Sequence, residues 1–441
     1  MQKNLSFISL GCAKNLVNTE QMIALCREAG HNISSDPEGA TVGIINTCGF
    51  IDSAKSEAID EILSLAELKK QGKLQYIIVA GCLSQRYRME IFTDIPEVDG
   101  LIGTGSYTDV VQVIEDVTSG KRAEYFNDID ATDDDGARII TTPSYTSFLK
   151  IAEGCNNHCA FCIIPSLRGK YRSRKPDALV KEAKMLAENG VRELIIIAQD
   201  TTRYGLDLEE KTTLVDLLKE LIPLDFHWIR LHYLYPEAIT DDLIDLMAKE
   251  KKILPYFDIP IQHCSDHILK AMRRHSTKKE LENLFAKIRT KVKHAVIRTS
   301  IICGLPNESD DDFEELCGFL KDQKIERAGV FAYSCEEGTE AATMENQVPS
   351  EIAEHRVELL VDLQSRIMDG FNESRLGGCV EVLCEGFDPE AGCFVGRSFA
   401  DSPDIDGKIY FTAAGVIMAG SFVNVRLTSE QDGDLWGEME E

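Results

Sequence analysis

The sequence has no long run of apolar residues, although 44% of its 441 residues are hydrophobic. A transmembrane helix needs about 20 consecutive apolar residues, and a secretory signal needs an apolar core close to its start. The chain begins instead with the mostly polar stretch Met1-Gln2-Lys3-Asn4. We therefore expect a cytoplasmic protein without a membrane span, long enough for two or three domains.

Basic residues are few compared with acidic ones. Lys and Arg number 47 against 74 Asp and Glu, so the formal net charge is −27. A protein that grips RNA normally presents a basic surface to the phosphates. Acidity does not exclude a local basic patch, and it can serve solubility alone. It favours a basic protein as the partner over RNA.

One short loop carries three cysteines but lacks a fourth. Cys155, Cys159 and Cys162 have the spacing C-x3-C-x2-C, with Phe161 before the last thiol. Three such thiolates can hold three irons of a 4Fe–4S cluster and leave the fourth iron open to a small molecule. A structural zinc site normally has four protein ligands, and His158 in the same loop is the nearest candidate for the fourth. The spacing favours a cluster, with zinc as the alternative.

A second set of three cysteines is spread over the N-terminal part. Cys12, Cys48 and Cys82 each come directly after an apolar, β-like run, and helical patterns separate the runs. This alternation predicts a parallel sheet, in which ligands bind outside the carboxyl ends of the strands. We expect the three thiols to meet at one edge, the alternative being three ordinary buried cysteines.

The remaining cysteines do not form a pattern. The chain has 14 in all, and in a reducing compartment they are expected to bind metal or stay reduced rather than pair as disulfides. Most of the other eight are expected to be packing residues: Cys26, Cys264, Cys303, Cys317, Cys335, Cys379, Cys384 and Cys393.

Composition and pattern divide the chain into three domains and a linker. Residues 1–121 form the α/β unit with the spread cysteines, and 122–140 are a polar, acidic linker. Residues 141–372 repeat strand and helix with six predicted strands, fewer than a complete eight-stranded barrel. The pattern of residues 141–372 therefore predicts an open (β/α)6 barrel with its site at the carboxyl ends of the strands. Residues 374–441 have short alternating runs that predict a small antiparallel β-barrel.

Candidate cofactor ligands follow two strands of the predicted open barrel. Gln199 comes after the second strand, and Gly304 and Glu308 come after the fifth. Glycine lets the backbone approach a ligand closely, while Gln and Glu can bond to ribose, amine or carboxylate. A turn that serves only the fold is an equally good interpretation of Gly304. Five basic residues come soon after the cluster loop, and we expect them either to offset the charge of the cluster and of carboxylates or to form a solvated loop. They are Arg168, Lys170, Arg172, Arg174 and Lys175.

These motifs resemble those of one enzyme family. The loop with Phe161 is similar to that of radical S-adenosylmethionine enzymes. The segments 9–17, 46–51 and 79–85 look like the N-terminal domain of methylthiotransferases, and the tail looks like their TRAM domain. The resemblance implies a second 4Fe–4S cluster on Cys12, Cys48 and Cys82. It also implies that S-adenosylmethionine binds the open iron of the loop cluster and yields a radical that abstracts hydrogen.

Two branches of that family differ in substrate. One modifies an adenosine of tRNA, and the other methylthiolates the β-carbon of an aspartate in the decoding-centre protein, number twelve, of the small ribosomal subunit. The segments 11–17, 231–236, 258–263 and 396–407 are similar to the second branch. That branch implies a basic ribosomal protein as substrate, with an external electron donor and a sulfur source. A non-catalytic two-cluster electron carrier is the alternative from another class.

The acidic tail agrees with a basic protein substrate. Residues 374–441 contain four Lys or Arg and thirteen Asp or Glu, a net charge of −9. A small β-barrel that binds RNA is expected to be basic, whereas this one would attract a basic protein. We expect carboxylates such as Asp401, Asp404 and Asp406 to take part in that docking.

Overall fold

The computed structural model describes residues 2–131 and 136–440. They form two six-stranded sheets, a closed five-stranded barrel and a two-stranded ribbon, which confirms the predicted fold class. Within these ranges no helix is long and apolar enough to cross a membrane. Residues 132–135 of the predicted linker lie outside the described part of the chain, and the exact domain boundaries stay a prediction.

The N-terminal domain is a parallel sheet with helices on both faces. Its strands are β1 (Asn4–Ser9), β2 (Asn32–Ser34), β3 (Val42–Thr47), β4 (Tyr76–Gly81), β5 (Gly100–Ile102) and β6 (Ala123–Tyr125). Its helices are α1 (Ala13–Glu28), α2 (Asp52–Lys70), α3 (Cys82–Tyr87), α4 (Met89–Asp94) and α5 (Val110–Thr118). The strand order is β2-β1-β3-β4-β5-β6.

Strand β3 shows why this sheet is covered on both faces. All six of its residues are buried, as is typical of parallel sheets between two helical layers. Its side chains alternate between two cores. Ile45 packs with Ile62 of α2 on one side, and Ile44 packs with Met22 of α1 on the other. Because β1, β3 and β4 are neighbours, the three spread cysteines follow adjacent strand ends.

The second domain is built on the other parallel sheet. Its strands are β7 (Thr146–Lys150), β8 (Ala152–Glu153), β9 (Arg172–Ser173), β10 (Glu193–Ile197), β11 (Trp228–Leu231), β12 (Ile253–Asp258), β13 (Val296–Cys303) and β14 (Arg327–Ala332). Its helices are α6 (Ile164–Arg168), α7 (Pro176–Glu188), α8 (Leu214–Leu221), α9 (Asp241–Lys249), α10 (Asp266–Ala271), α11 (Lys278–Lys291), α12 (Asp310–Gln323) and α13 (Ser350–Glu373).

Six strands of this domain form the predicted open barrel. Their order is β14-β13-β12-β11-β10-β7, all parallel, while β8 and β9 pair separately in the ribbon. The long helix α13 lies against the edge strand β14, where it shields one free edge of the sheet. The carboxyl ends of the six strands form one rim, and their amino ends form the opposite one.

The C-terminal domain is a small closed barrel. Its strands are β15 (Cys379–Asp388), β16 (Cys393–Arg397), β17 (Ile409–Thr412), β18 (Phe422–Gln431) and β19 (Asp434–Met439). They pair in the order β15-β16-β17-β19-β18. All of the pairs are antiparallel except β17 with β19. The prediction of a small β-barrel is confirmed, with one parallel pair that it did not include.

This small barrel is fixed to the amino ends of the open-barrel strands by buried ion pairs. Glu193, the first residue of β10, pairs with Arg230 at 2.9 Å and with Arg397 at 2.6 Å. All three side chains are at most 2% exposed. Burial would raise the pKa of Glu193, but the two guanidinium groups outweigh it and lower the pKa to about 2. The carboxylate therefore stays charged and holds the two domains together.

Two of the three acidic residues that we expected to dock a partner lie inside this joint instead. The docking expectation is therefore wrong for those two. Asp401 pairs with Arg327 at 2.8 Å, and Asp406 accepts a hydrogen bond from the Tyr256 hydroxyl at 2.5 Å. Their side chains are 2% and 3% exposed. Only Asp404 of the three is exposed. The net charge of the tail does not show which carboxylates are at the surface, because buried guanidinium groups need carboxylate partners.

We predict that Glu193→Gln destabilises the protein strongly, because it leaves two buried guanidinium groups without their shared carboxylate. The free energy of unfolding should fall by about 3–5 kcal/mol, measured by anaerobic urea unfolding. The matched control is Glu381→Gln, in the pair with His227 whose side chains are 45% and 35% exposed. That change should cost less than about 1 kcal/mol. Equal effects of the two variants would contradict this account of the joint.

Candidate active site

The three N-terminal cysteines meet beyond the carboxyl ends of β1, β3 and β4. Cys12 is the N-cap of α1, and Cys82 is the first residue of α3. Two glycines with positive φ let the three strand ends approach one another closely. An added Cβ on Gly11 (φ 82°) would lie 2.7 Å from Cys48 Cβ. An added Cβ on Gly81 (φ 95°) would lie 2.5 Å from the Thr47 carbonyl oxygen.

These thiols lie within electrostatic range of one another. Burial, with the nearby Cys82 and Cys12, raises the pKa of the Cys48 thiol to about 11. Burial also raises the pKa of Cys82, against the opposing charge of Arg168. Cys12 differs: burial raises its pKa, but Lys14, Arg168 and two N–H groups of the first turn of α1 outweigh burial and lower it. Cys12 is therefore predisposed to be a thiolate.

Arg168 connects the two cysteine sets. It belongs to α6, directly after the cluster loop, and is 3% exposed. Its Nε donates to Cys82 Sγ at 3.3 Å, and its Nη1 donates to Glu153 at 3.2 Å. Its guanidinium also donates to the side chains of Asn15 and Asn18 on α1. Of the five basic residues after the loop, this one carries out the predicted role of offsetting charge at a thiol.

The cluster loop lies on the rim of the open barrel. Cys155 and Cys159 are buried and Cys162 is partly buried. Burial raises the pKa of Cys155 to about 11 and raises that of Cys162 further, and the neighbouring Cys159 adds to both effects. His158 is exposed and has a left-handed backbone (φ 48°), so the alternative in which it completes a zinc site with the three thiols is not favoured.

A second buried arginine lies at this loop. Arg274 Nη1 is 3.7 Å from Cys159 Sγ, and its Nη2 donates to the Pro260 carbonyl at 2.7 Å. The Tyr235 hydroxyl also lies 3.7 Å from Cys159 Sγ. Sequence reasoning missed Arg274, because nothing in the sequence links it to a loop more than a hundred positions earlier.

Each cysteine set supplies three thiols, and the three protein ligands of a 4Fe–4S cluster with one open iron bind three different irons. The arginine at each set also suits a cluster, because hydrogen bonds to sulfur tune cluster potential.

Gln199 has a free acceptor beside the cluster loop. Its Nε2 donates to Glu153 Oε1 at 2.6 Å, which leaves its Oε1 buried and without a hydrogen-bond partner among the described residues. Burial would raise the pKa of Glu153, but Lys150 and Arg168 hold it well below its usual range. The charged Glu153 therefore fixes Gln199, whose carbonyl oxygen can accept from a ligand.

Gly304 and Glu308 have structural contacts instead. Glu308 accepts from the backbone N–H groups of Gly304 and Leu305 at 2.8 and 3.0 Å and pairs with Arg356 at 2.8 Å. A Cβ on Gly304 would lie 2.3 Å from Ala353 Cβ of α13. These contacts favour the interpretation of a turn that serves only the fold, and cofactor binding by these two residues stays an untested prediction.

Three family models match the chain in succession. The uncharacterized protein family UPF0004 matches residues 4–103, the Radical SAM superfamily matches 149–320, and the TRAM domain matches 376–439. Among solved structures, the fold is similar to the radical S-adenosylmethionine methyltransferase TsrM from Kitasatospora setae, with a TM-score of 0.58 over 75% of each chain. Sequence identity there is 11%, so the similarity concerns the fold alone.

Curated relatives match almost the whole chain. The protein named ribosomal protein uS12 methylthiotransferase RimO from Thermoanaerobacter sp. (strain X514) is 44% identical over 99% of this chain and 100% of its own length. The protein of the same name from Caldanaerobacter subterraneus subsp. tengcongensis is 47% identical over 99% of this chain and 100% of its own.

We predict that Arg168→Gln lowers the reduction potential of the cluster that Cys12, Cys48 and Cys82 are expected to hold. Loss of a cation and a charge-assisted hydrogen bond disfavours the reduced, more negative state. Such a bond is worth about 1.5–3 kcal/mol, or about 60–130 mV for one electron. Potentiometric titration followed by electron paramagnetic resonance measures the shift. Arg274→Gln is the matched variant and should shift the loop cluster. A shift of the same cluster by both variants would contradict the assignment.

Proposed function

Since the chain belongs to the RimO family of radical S-adenosylmethionine methylthiotransferases, we propose that it attaches a methylthio group to an aspartate of ribosomal protein uS12. The observation that carries this proposal is the buried Arg168, which follows the cluster loop in the chain and bonds both to Cys82 of the other cysteine set and to Glu153, two residues before Cys155. A methylthio group must be built where a radical source and a sulfur source reach the same carbon. The β-carbon of aspartate bears unactivated C–H bonds, for which acid–base chemistry does not suffice.

We assign the cluster that binds S-adenosylmethionine to Cys155, Cys159 and Cys162, and the second cluster to Cys12, Cys48 and Cys82. When bound, the first supplies the electron that cleaves S-adenosylmethionine, and the second supplies or relays sulfur. The proposed role of Gln199 is to accept a hydrogen bond from S-adenosylmethionine through its free Oε1. Glu153 positions that amide. An external electron donor and a sulfur source complete the proposal.

The burial of the sites supports this chemistry. Cys82, Cys155 and Cys159 are at most 7% exposed, so bulk water is largely kept from the reacting groups. Exclusion of water protects reactive intermediates from side reactions. The polar groups next to the thiols come from Arg168 and Arg274, which keep fixed positions through several hydrogen bonds each.

The alternatives have less support. The relatives described above are named for uS12, whereas a tRNA substrate would fit a basic C-terminal domain, and this one has a net charge of −9. An electron carrier would have no use for the free Gln199 oxygen beside the cluster loop. We propose action in the cytoplasm, where ribosomes are found, and RNA binding is not part of the proposal.

We predict that the enzyme with both clusters reconstituted modifies recombinant uS12 when supplied with S-adenosylmethionine, a reductant and sulfide. Mass spectrometry should find one methylthio group on one aspartate. Iron should number about eight per chain, four for each cluster. Changing Cys12, Cys48 and Cys82 together to Ala should leave S-adenosylmethionine cleavage and abolish methylthiolation.

The matched variant with Cys155, Cys159 and Cys162 changed to Ala should lose both cleavage and methylthiolation while keeping one cluster. If the first triple variant still attaches sulfur to uS12, the role of the N-terminal domain is wrong. Unmodified uS12 together with tight binding of tRNA by the intact chain would favour the tRNA branch.

A further inference from the structure

Lys14 is a buried cation between the N-terminal cysteine set and the rim of the open barrel. It lies in the first turn of α1, two residues after Cys12, and is 8% exposed. Its Nζ lies 3.5 Å from the centre of the Tyr233 ring. Tyr233 follows β11 at the rim of the open barrel. The ammonium therefore reaches from the N-terminal domain to the rim that carries the cluster loop.

The helix that carries Lys14, α1, packs against the open barrel at this rim. Val17, three residues further along α1, packs in one cluster with Ile195 and Ile197 of β10. Residues three apart share a face of a helix, so Lys14 lies on the barrel side of α1. Tyr233 is fixed in place because its N–H donates to Asp258 at 2.9 Å, and Asp258 pairs with Arg298 at 2.8 Å.

This cation lacks a carboxylate partner. None of the ion pairs found in the described ranges includes Lys14. Glu153 acts on it electrostatically, but that carboxylate is already bonded to Lys150, Arg168 and Gln199. Burial of an ammonium without a paired carboxylate is unfavourable. The charge of Cys12 and the face of the Tyr233 ring compensate for only part of that cost.

The two buried arginines already serve the thiols. Arg168 donates to Cys82 Sγ, and Arg274 approaches Cys159 Sγ. The Lys14 ammonium differs, since it acts on Cys12 through its charge while its Nζ lies over a ring on the opposite domain. A cation at this joint without a carboxylate partner of its own suits a carboxylate that arrives with the substrate.

We propose that Lys14 binds the side-chain carboxylate of the acceptor aspartate in uS12 and so selects aspartate over asparagine. This inference rests on the proposed function. The carbon that receives the methylthio group is bonded directly to that carboxylate, so a cation that holds the carboxylate also places the reacting C–H bond. An asparagine would leave the ammonium buried without a carboxylate partner, and sites built for one polar group reject analogues that lack it.

The test is the preference of the enzyme between two substrates. Binding of uS12, and of uS12 with the acceptor aspartate replaced by asparagine, is measured for the full-length enzyme with both clusters. The wild-type enzyme should bind the aspartate form at least about tenfold more tightly. Lys14→Met should bind the two forms equally, and Lys14→Arg should keep part of the preference. The control is Lys181→Met, on the exposed face of α7, which should keep all of it.

Two results would overturn the inference. The first is a Lys14→Met enzyme that still prefers the aspartate form by the wild-type factor. The second is a wild-type enzyme that binds the aspartate and asparagine forms equally tightly, because the buried cation would then not recognise the carboxylate. A wild-type enzyme that does not modify uS12 at all would count against the proposed function itself.

Discussion

The site depends on one buried guanidinium group at the joint between two parallel sheets. Arg168 bonds to Cys82 Sγ, to Glu153 and to two asparagines of α1. A buried charge is tolerated only when it is paired and hydrogen-bonded. The guanidinium group of Arg168 can therefore stay buried only while these partners surround it. The carboxyl ends of the N-terminal strands must therefore face the rim of the open barrel. That orientation turns the N-terminal cysteine set toward the rim that carries the cluster loop.

At the opposite rim of the open barrel, buried ion pairs of arginine and carboxylate attach a domain instead of shaping the site. Glu193, Arg230 and Arg397 form a buried network there, and Asp401 pairs with Arg327 close by. Replacement of one member of such a network is costly because the others remain charged and buried. The C-terminal barrel is thereby held at the amino ends of the strands, while the chemistry is placed at their carboxyl ends. Part of its acidity serves this attachment rather than a partner.

The sequence predicted the architecture well, because periodic apolar runs and cysteines at strand ends report local structure directly. The six strands of the open barrel and the convergence of Cys12, Cys48 and Cys82 follow from such patterns. The sequence could not predict Arg274 or the use of Glu308 inside a turn, since both depend on contacts between distant segments. It also misplaced Asp401 and Asp406, because a charge count does not distinguish a surface carboxylate from one paired inside a domain joint. Lys14 was visible only as part of a motif, and its burial without a carboxylate partner appears only in three dimensions.

We propose that the clusters on the two cysteine sets lie close together at the joint that contains Arg168, and their magnetic interaction is the measurement that decides this. With both clusters reduced, electron paramagnetic resonance of the wild-type enzyme should show spin–spin coupling. Its spectrum should then differ from the sum of the spectra of two variants, one without Cys12, Cys48 and Cys82 and the other without Cys155, Cys159 and Cys162. A wild-type spectrum equal to that sum would mean that the clusters are magnetically isolated, and it would contradict the account.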